Sequence, residues 1–265
     1  MIAADGNRAR PMEPKKMTRW RASGLHLLIS VAVAVSVLAL MLSLWYPGPL
    51  FEASGGNDLL FILVAVDVII GPLITLAIFR SGKRGLRFDL AVIGTLQICA
   101  LLYGMHVVYV ARPAFIVFVG NQFATVSVAE LDPEELAKAK YPEFRQPPLG
   151  GPMLAFAVVP TDPVEFRQFV ILGAAGHDLQ EFPRLFVPYA ERTAQVLARS
   201  LTLTRVRQLE PQTAKIVDAW LAQSGTREAD VRYVPLRGRT AWIAVLIDAK
   251  TAQPVKMLIT DAPMK

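Results

Sequence analysis

Residues 59–79 read LLFILVAVDVIIGPLITLAIF, an apolar run that contains one carboxylate, Asp67, and the pair Gly71-Pro72. About 20 apolar residues match the roughly 30 Å hydrocarbon thickness of a bilayer, because each helical residue rises about 1.5 Å. A carboxylate near the centre of such a helix costs roughly 3 kcal/mol on insertion scales, so it normally faces protein or water. The run therefore predicts a membrane span whose acid faces a partner.

Helical spacing places Asp67, Gly71 and Thr75 on one face of this span, at positions i, i+4 and i+8. A small residue allows another backbone to approach closely, and the polar groups need partners. Pro72 is expected to kink the helix and to free a backbone carbonyl one turn earlier. Packing inside a helix bundle, binding of a partner helix and transport all fit this face. Transport is disfavoured because only three spans and no internal repeat are found.

Two more apolar runs predict spans at residues 25–45 and 90–110. The first resembles a signal peptide at its basic front end, but it exceeds the usual length of about 7–15 apolar residues. Trp-Tyr-Pro-Gly-Pro also stands where a small-residue cleavage site is expected, so we predict an uncleaved helix. The third run carries polar or small residues on two faces, which predicts a neighbour on each side. These residues include Gln97, Tyr103, Gly104 and His106.

The distribution of charge predicts the topology. The net charge is +6, and residues 1–24 hold six Lys or Arg against two acids, while residues 80–89 hold four against one. Residues 46–58 hold only Glu52 and Asp58, and the chain from residue 111 onward is nearly balanced, with 18 basic and 16 acidic residues. The positive-inside rule then places the N-terminus and the 80–89 loop in the cytoplasm and the C-terminal part outside. The basic charge thus reflects topology, and nucleic acid is not an expected partner.

Depth in the membrane predicts the partners of Asp67. The residue lies about 12 Å from the outer end of its span at about 1.5 Å per residue. The same level falls near Tyr103 on the third span and near Ser36 on the first. We expect Asp67 to hydrogen-bond Tyr103, His106 or Ser36.

The loop after the first span begins Tyr46-Pro47-Gly48-Pro49. Neither proline can continue a helix, and Trp45-Tyr46 suits a headgroup boundary. We include these four loop residues in the candidate partner-binding surface on the outer side.

The fold class predicted is an α-helical membrane module of three transmembrane helices followed by an α+β soluble domain with antiparallel strands. The domain limits are a disordered extension at 1–16, the three-span module at 17–112 and a periplasmic α+β domain at 113–265. Met17 is a plausible true start. In the soluble part, strands are expected at 115–119, 122–128, 156–159, 232–236, 241–248 and 255–259, and Gly120-Asn121 predicts a hairpin between the first two. Helices are expected at 130–140, with Asp132 as its N-cap, and at 188–200 and 211–224. Residues 163–172 are ambiguous, with helix favoured, and a linker is expected at 142–152.

No catalytic signature is found in the sequence. The single cysteine, Cys99, excludes an intramolecular disulfide, and the three histidines are scattered without metal-ligand spacing. His177-Asp178 follows a Gly-Ala-Ala-Gly loop without a nucleophile elbow, P-loop or zinc motif, so it is interpreted as a solvated loop. We expect no enzyme activity, cofactor or metal.

Several clusters in order resemble one family. They are Trp20 with His26 and Ser30, residues 45–51 with Gly55-Gly56, residues 67–73 with Thr75, Lys83 with Gly85-Leu86 and residues 88–92, then Gln97, Tyr103-Gly104 and Arg112-Pro113. Over residues 17–128 the chain resembles the TfpX/TfpZ family of type IV pilin accessory proteins. The resemblance implies a bacterial inner-membrane protein that assists pilin stability or pilus assembly, with a type IV pilin subunit and membrane lipid as partners.

The resemblance assigns no role to individual residues. Combined with the spans, it suggests that the helices pack on the membrane helix of a pilin while the outer domain contacts its globular head. The alternative is a membrane-anchored sensor or scaffold with a periplasmic ligand- or protein-binding domain, although the short inner loop offers no output module. An enzyme that modifies pilin ranks third.

Overall fold

The computed structural model describes residues 17–174 and 176–260 and begins with three long apolar helices. These helices, Arg19–Trp45, Gly56–Ile78 and Leu86–Ala111, are long and apolar enough to cross a membrane. The three predicted runs are therefore confirmed as helices. Each helix starts three or more residues before the predicted apolar run, because polar residues extend it. The prediction of disorder at 1–16 lies outside the described residues.

Regular α-helical parts alternate with wider turns in the first two of these helices. The α-helices are α1 (Arg19–Leu40), α2 (Leu50–Ala53), α3 (Gly56–Val64), α4 (Gly71–Ile78) and α5 (Leu86–Ala111). A π-helical turn, Met41–Trp45, extends α1, and another, Ala65–Ile70, joins α3 to α4.

The second π-helical turn directly precedes the Gly71-Pro72 pair. The N–H of Gly71 donates to the carbonyl of Val66, five residues back, in place of the usual four. Pro72 has no N–H to offer the carbonyl of Val68, so the ordinary ladder is interrupted at this point. The wider turn is where the chain accommodates that interruption.

The chain divides into two compact units, each described by itself. Among the described residues, the first comprises 17–34 and 64–101, and the second comprises 35–63 and 102–260 apart from residue 175. The loop after the first apolar helix and the C-terminal part of α5 thus group with the C-terminal region.

A seven-stranded mixed sheet is the centre of the second unit. Its strands are β1 (Pro113–Val119), β2 (Gln122–Ser127), β3 (Met153–Ala157), β4 (Phe186–Pro188), β5 (Val231–Arg237), β6 (Trp242–Asp248) and β7 (Pro254–Thr260). The spatial order is β4-β3-β1-β2-β5-β6-β7. The predicted β1–β2 hairpin is confirmed, with Gly120 at φ +64° in its turn.

The sheet corrects the expectation of antiparallel strands. β1 pairs with β3 and β2 pairs with β5 in parallel, whereas the remaining pairs are antiparallel. Parallel neighbours need a crossover connection, and here helices between β2 and β3 and between β4 and β5 provide it.

Both faces of the sheet are covered. Six of the seven residues of β1 are buried, as expected for a strand with a layer on each side. One face packs Ile116, Phe118 and Phe156 against Tyr189 and Val196. The other face is covered in two clusters, which contain Phe115, Val117, Phe144 and Phe186 in one and Leu203, Val206, Tyr233 and Leu246 in the other.

Short helices supply these covering layers. They are α6 (Pro133–Ala137), α8 (Thr193–Arg199), α9 (Leu203–Leu209) and α10 (Pro211–Ser224). A further helix, α7 (Pro163–Ala174), packs Phe169 against Phe182 and Leu185 in a separate cluster. Asp132 caps α6 by accepting from the N–H of Glu134 at 2.8 Å, as the sequence predicts. The predicted helix at 188–200 is a 3₁₀ turn followed by α8. The supposed linker at 142–152 begins with a 3₁₀ turn that buries Phe144, and that part of the prediction is wrong.

Candidate functional site

The acid of the second apolar helix is buried in the first unit. Asp67 is 8% exposed and lies in the π-helical turn Ala65–Ile70. Within the described residues, its Oδ1 has no hydrogen-bond partner. A carboxylate held this way is an unusual group inside an apolar helix, since buried polar atoms normally find a partner.

Two polar contacts join the first helix to the second near this acid. His26 Nδ1 and Thr75 Oγ1 are 2.6 Å apart, and the hydroxyl of Ser23 donates to the carbonyl of Pro72 at 2.9 Å. Sequence reasoning treated His26 as an isolated histidine and did not single out Ser23. The signal available was their spacing, because residues at i and i+3 share a helix face.

Gly71 faces the third apolar helix. A Cβ added there would lie 1.8 Å from Nε2 of Gln97, so the glycine makes room for that amide. Asp67, Gly71 and Thr75 are all buried, and Gly71 and Thr75 contact two different helices. The structure therefore uses the predicted polar face for contacts inside this unit.

A shallow apolar groove lies on the outside of the same unit, between the second and third helices. It has a volume of about 490 Å³. Val66, Ile70 and Ile74 line it on one side, and Val92 and Leu96 line it on the other. Gln97 is among the few polar residues at its wall. An apolar groove of this kind suits a helix or an acyl chain.

The remaining predicted intramembrane residues belong to the second unit. Tyr103 is 71% exposed, His106 and Ser36 are exposed, and Gly104 is half-buried. The expected hydrogen bond from Asp67 to one of these side chains stays a prediction.

The loop between the first and second apolar helices, residues 46–55 and named the outer loop below, packs into the sheet domain. Tyr46 is fully buried, and its hydroxyl donates to the carbonyl of Val108 at 3.0 Å. Pro49 precedes α2, which places Leu50 and Ala53 in the hydrophobic core beside the sheet. Sequence reasoning expected a short loop here, with Tyr46 to Pro49 as a candidate partner-binding surface, and it missed α2. Pro47 and Gly48 are exposed.

The turn between β5 and β6 holds this loop through its backbone. Arg239 donates from Nη2 to the carbonyl of Ser54 at 2.9 Å, and the N–H of Thr240 donates to the carbonyl of Ala53 at 2.9 Å. Gly238 is required at the contact, because a Cβ there would lie 2.8 Å from both Cβ and the carbonyl oxygen of Ala53.

The 146–151 loop contacts the outer ends of two apolar helices within the second unit. Trp45 Nε1 donates to the carbonyl of Leu149 at 3.3 Å, and Arg112 Nη1 donates to the carbonyl of Gly150 at 3.2 Å. The ring of Tyr109 lies between these donors, 5.6 Å from the Trp45 ring and 4.5 Å from the guanidinium carbon of Arg112.

A charged cleft of about 520 Å³ lies beside the end of α5. Arg237 and Asp178 form an ion pair at its wall. Burial alone raises the pKa of Asp178, but hydrogen bonds from Arg237 and Gln180 outweigh burial and hold that pKa below its usual value. His177 lies next to this cleft on a largely exposed loop, where Nδ1 is 3.2 Å from Oε2 of Glu181. Arg237 and His177 therefore each contact a carboxylate, that of Asp178 and that of Glu181 respectively.

Three helices long and apolar enough to cross a membrane, followed by an α+β domain, indicate membrane association. Within residues 17–174 and 176–260, no group of three or more His, Cys, Asp or Glu side chains is arranged to hold a metal ion.

Comparison with known proteins gives the family. The family model described as "Fimbrial assembly protein FimB" matches residues 14–55. The chain is 32% identical over 203 residues to "Fimbrial assembly protein, serogroup I" of Dichelobacter nodosus, an alignment that covers 73% of this chain and 79% of that protein. It is 31% identical over 196 residues to the serogroup E1 protein of the same organism, covering 71% and 76%. The chain therefore belongs to the family of fimbrial assembly proteins. No solved structure matches it.

Proposed function

We propose that this protein is a multi-pass protein of the bacterial inner membrane that binds type IV pilin subunits and assists their assembly into a pilus. The observation that carries the proposal is the relationship to fimbrial assembly proteins, which extends over 73% of the chain and so includes helices and sheet domain alike. The narrower resemblance to TfpX/TfpZ proteins comes from the sequence clusters in residues 17–128, and it is the reason that a type IV pilin is proposed as the binding partner.

The charge distribution supports the topology in this proposal. Basic residues concentrate before the first apolar helix and between the second and third, which favours a cytoplasmic N-terminus. Three crossings then put the sheet domain in the periplasm. The outer loop shares the core of that domain, as expected if both lie on the same side.

We assign the membrane helix of the pilin to the groove between the second and third apolar helices. The groove runs from Val66 to Ile78 along the second helix, about 18 Å at 1.5 Å per residue. Its wall is mostly apolar, which suits van der Waals packing against another apolar helix. Two residues of the Asp67 face, Gly71 and Thr75, already contact the third and the first apolar helix, so in this proposal that face does not bind the pilin.

The globular head of the pilin is assigned to α7. This helix exposes four large apolar side chains to solvent, namely Val164, Phe166, Val170 and Ile171, at 44–67% exposure. A periplasmic helix with such a surface is typical of a protein-binding site. The proposed activity is binding without catalysis.

Site-directed cross-linking to pilin tests the groove. In a Cys99→Ser background, Ile74→Cys places a thiol at the groove wall, and Phe61→Cys places one at an exposed position of the same helix that does not line the groove. We expect cross-links to a pilin that carries a cysteine in its membrane helix from Ile74→Cys only. Equal yields from both variants, or none from either, would contradict the assignment of the groove.

Deletion of the gene tests the function itself. We expect lower pilin abundance or surface piliation, with restoration by the wild-type gene. Unchanged pilin level, piliation and twitching in the deletion strain would refute the proposal.

A further inference from the structure

The loop at residues 146–151 exposes an apolar side chain where it meets the ends of the apolar helices. Leu149 is 79% exposed, more than any other large apolar residue among those described. Its own carbonyl and that of Gly150 accept hydrogen bonds from Trp45 and Arg112. The backbone of the loop is therefore held in place while the leucine side chain is left without packing.

The donors that bind this loop, Trp45 and Arg112, lie at the ends of two apolar helices. Trp45 is the last residue of the first apolar helix, Tyr109 lies near the C-terminal end of the third, and Arg112 directly follows that helix. Trp and Tyr rings are enriched where the hydrocarbon layer meets the headgroups, because one end of each ring is apolar and the other polar. A loop bonded to these residues lies at that boundary.

The composition of the loop fits the same boundary. Its sequence is Gln-Pro-Pro-Leu-Gly-Gly, with no charged side chain. Pro147 and Pro148 have no N–H, so the segment presents fewer backbone donors that need water. Gly151 lies close to the first helix, since a Cβ there would be 3.1 Å from the carbonyl oxygen of Leu44.

We propose that the 146–151 loop is a membrane-interface anchor in which Leu149 inserts among lipid headgroups beside Trp45 and Tyr109. The occupant of this surface is the outer leaflet of the membrane, because the loop is continuous with the ends of two apolar helices. The anchor orients the sheet domain on the bilayer. It rests on the membrane placement given under the proposed function, and it does not require that a pilin be bound.

Fluorescence quenching in lipid nanodiscs tests the anchor with the full chain. In the Cys99→Ser background, Leu149→Cys is labelled with an environment-sensitive fluorophore. Val255→Cys, at 50% exposure on β7, is the control in the sheet domain, and native Cys99 in the wild-type chain is the control in the third apolar helix. Quenching is measured with spin-labelled lipids and with aqueous iodide.

We expect the Leu149 label to show blue-shifted emission, several-fold stronger quenching by lipid and several-fold weaker quenching by iodide than the Val255 label. Equal iodide quenching at both positions would overturn the anchor. Shielding from lipid and iodide alike would also overturn it and would indicate a protein occupant. The Cys99 label distinguishes the membrane placement from the anchor. Absence of quenching by lipid at Cys99 would contradict the membrane placement itself. Quenching by lipid at Cys99 but not at Leu149 would contradict only the anchor.

Discussion

Replacing Gly238 with alanine tests whether the outer loop belongs to the sheet domain. A Cβ at this position would lie 2.7 Å from the carbonyl oxygen of Ala241 and 2.8 Å from Cβ of Ala53. Contacts this short do not persist, and the neighbours are backbone or short side-chain atoms that cannot swing away. We expect Gly238→Ala to push the outer loop off the β5–β6 turn.

The size of the effect follows from the bonds that the displacement breaks. The turn donates to the carbonyls of Ala53 and Ser54 at 2.9 Å each, and the hydroxyl of Thr240 donates to the carbonyl of Glu52 at 2.8 Å. A net contribution of about 1 kcal/mol for each bond gives a loss of about 2–3 kcal/mol. Exposure of Ala53, which is fully buried, adds to that loss.

Equilibrium urea unfolding of the full chain in detergent measures this loss, and amide exchange at Thr240 reports the local opening. Gly173→Ala is the matched control, because nothing lies within 4 Å of the added Cβ and the site is inside a helix. Alanine there should be neutral or stabilise by up to about 1 kcal/mol. If Gly238→Ala unfolds at the same urea concentration as Gly173→Ala, the reasoning is wrong.

Three further outcomes are expected. Leu50→Ala should lower the free energy of unfolding, measured in urea, by about 2–5 kcal/mol, because the Leu50 side chain is 1% exposed and its removal leaves a cavity. A loss below about 1 kcal/mol, typical of an exposed site, would contradict the burial of Leu50. Tyr233→Phe should cost about 1–3 kcal/mol, since its hydroxyl donates to Oε2 of buried Glu210 at 2.7 Å, and an unchanged midpoint would contradict this. Hydrogen bonds from Arg207 lower the pKa of Asp218, so this pair stabilises the fold above the ordinary pKa of about 3.9 and the contribution is lost as pH falls through the lowered value. Stability measured against pH should therefore fall less steeply in acid for Arg207→Met, and an identical profile would exclude the effect.

Local sequence patterns predict much of this fold. The three apolar runs, the Gly120-Asn121 hairpin and the Pro211–Ser224 helix have their signals within a few consecutive residues. Asp132 as an N-cap is equally local, because the cap and the N–H it accepts from are two positions apart. Such features depend on periodicity and turn chemistry, which a single sequence displays.

Features that depend on distant residues could not be predicted in the same way. The parallel pairing of β2 with β5 joins residues more than 100 positions apart, and nothing local specifies it. The core position of Leu50 depends on strands made far later in the chain. Asp67 was recognised as a polar residue in an apolar helix, but the contact of neighbouring Thr75 with His26 required the packing of two helices.

The hydrophobic core that the outer loop shares with the sheet affects how the protein folds during synthesis and which fragments of it can be expressed. Leu50 and Ala53 are synthesised before β5 and β6, and they remain without these partners until residues 231–248 have been made. The sheet domain therefore completes folding only after all three apolar helices, which precede β5 and β6 in the chain, have been synthesised. Residues 113–265 produced by themselves lack Leu50 and Ala53, so the apolar sheet surface that these two residues cover is open to water. Such a fragment is expected to aggregate. The loop after the first apolar helix and the sheet domain are therefore parts of one folding unit.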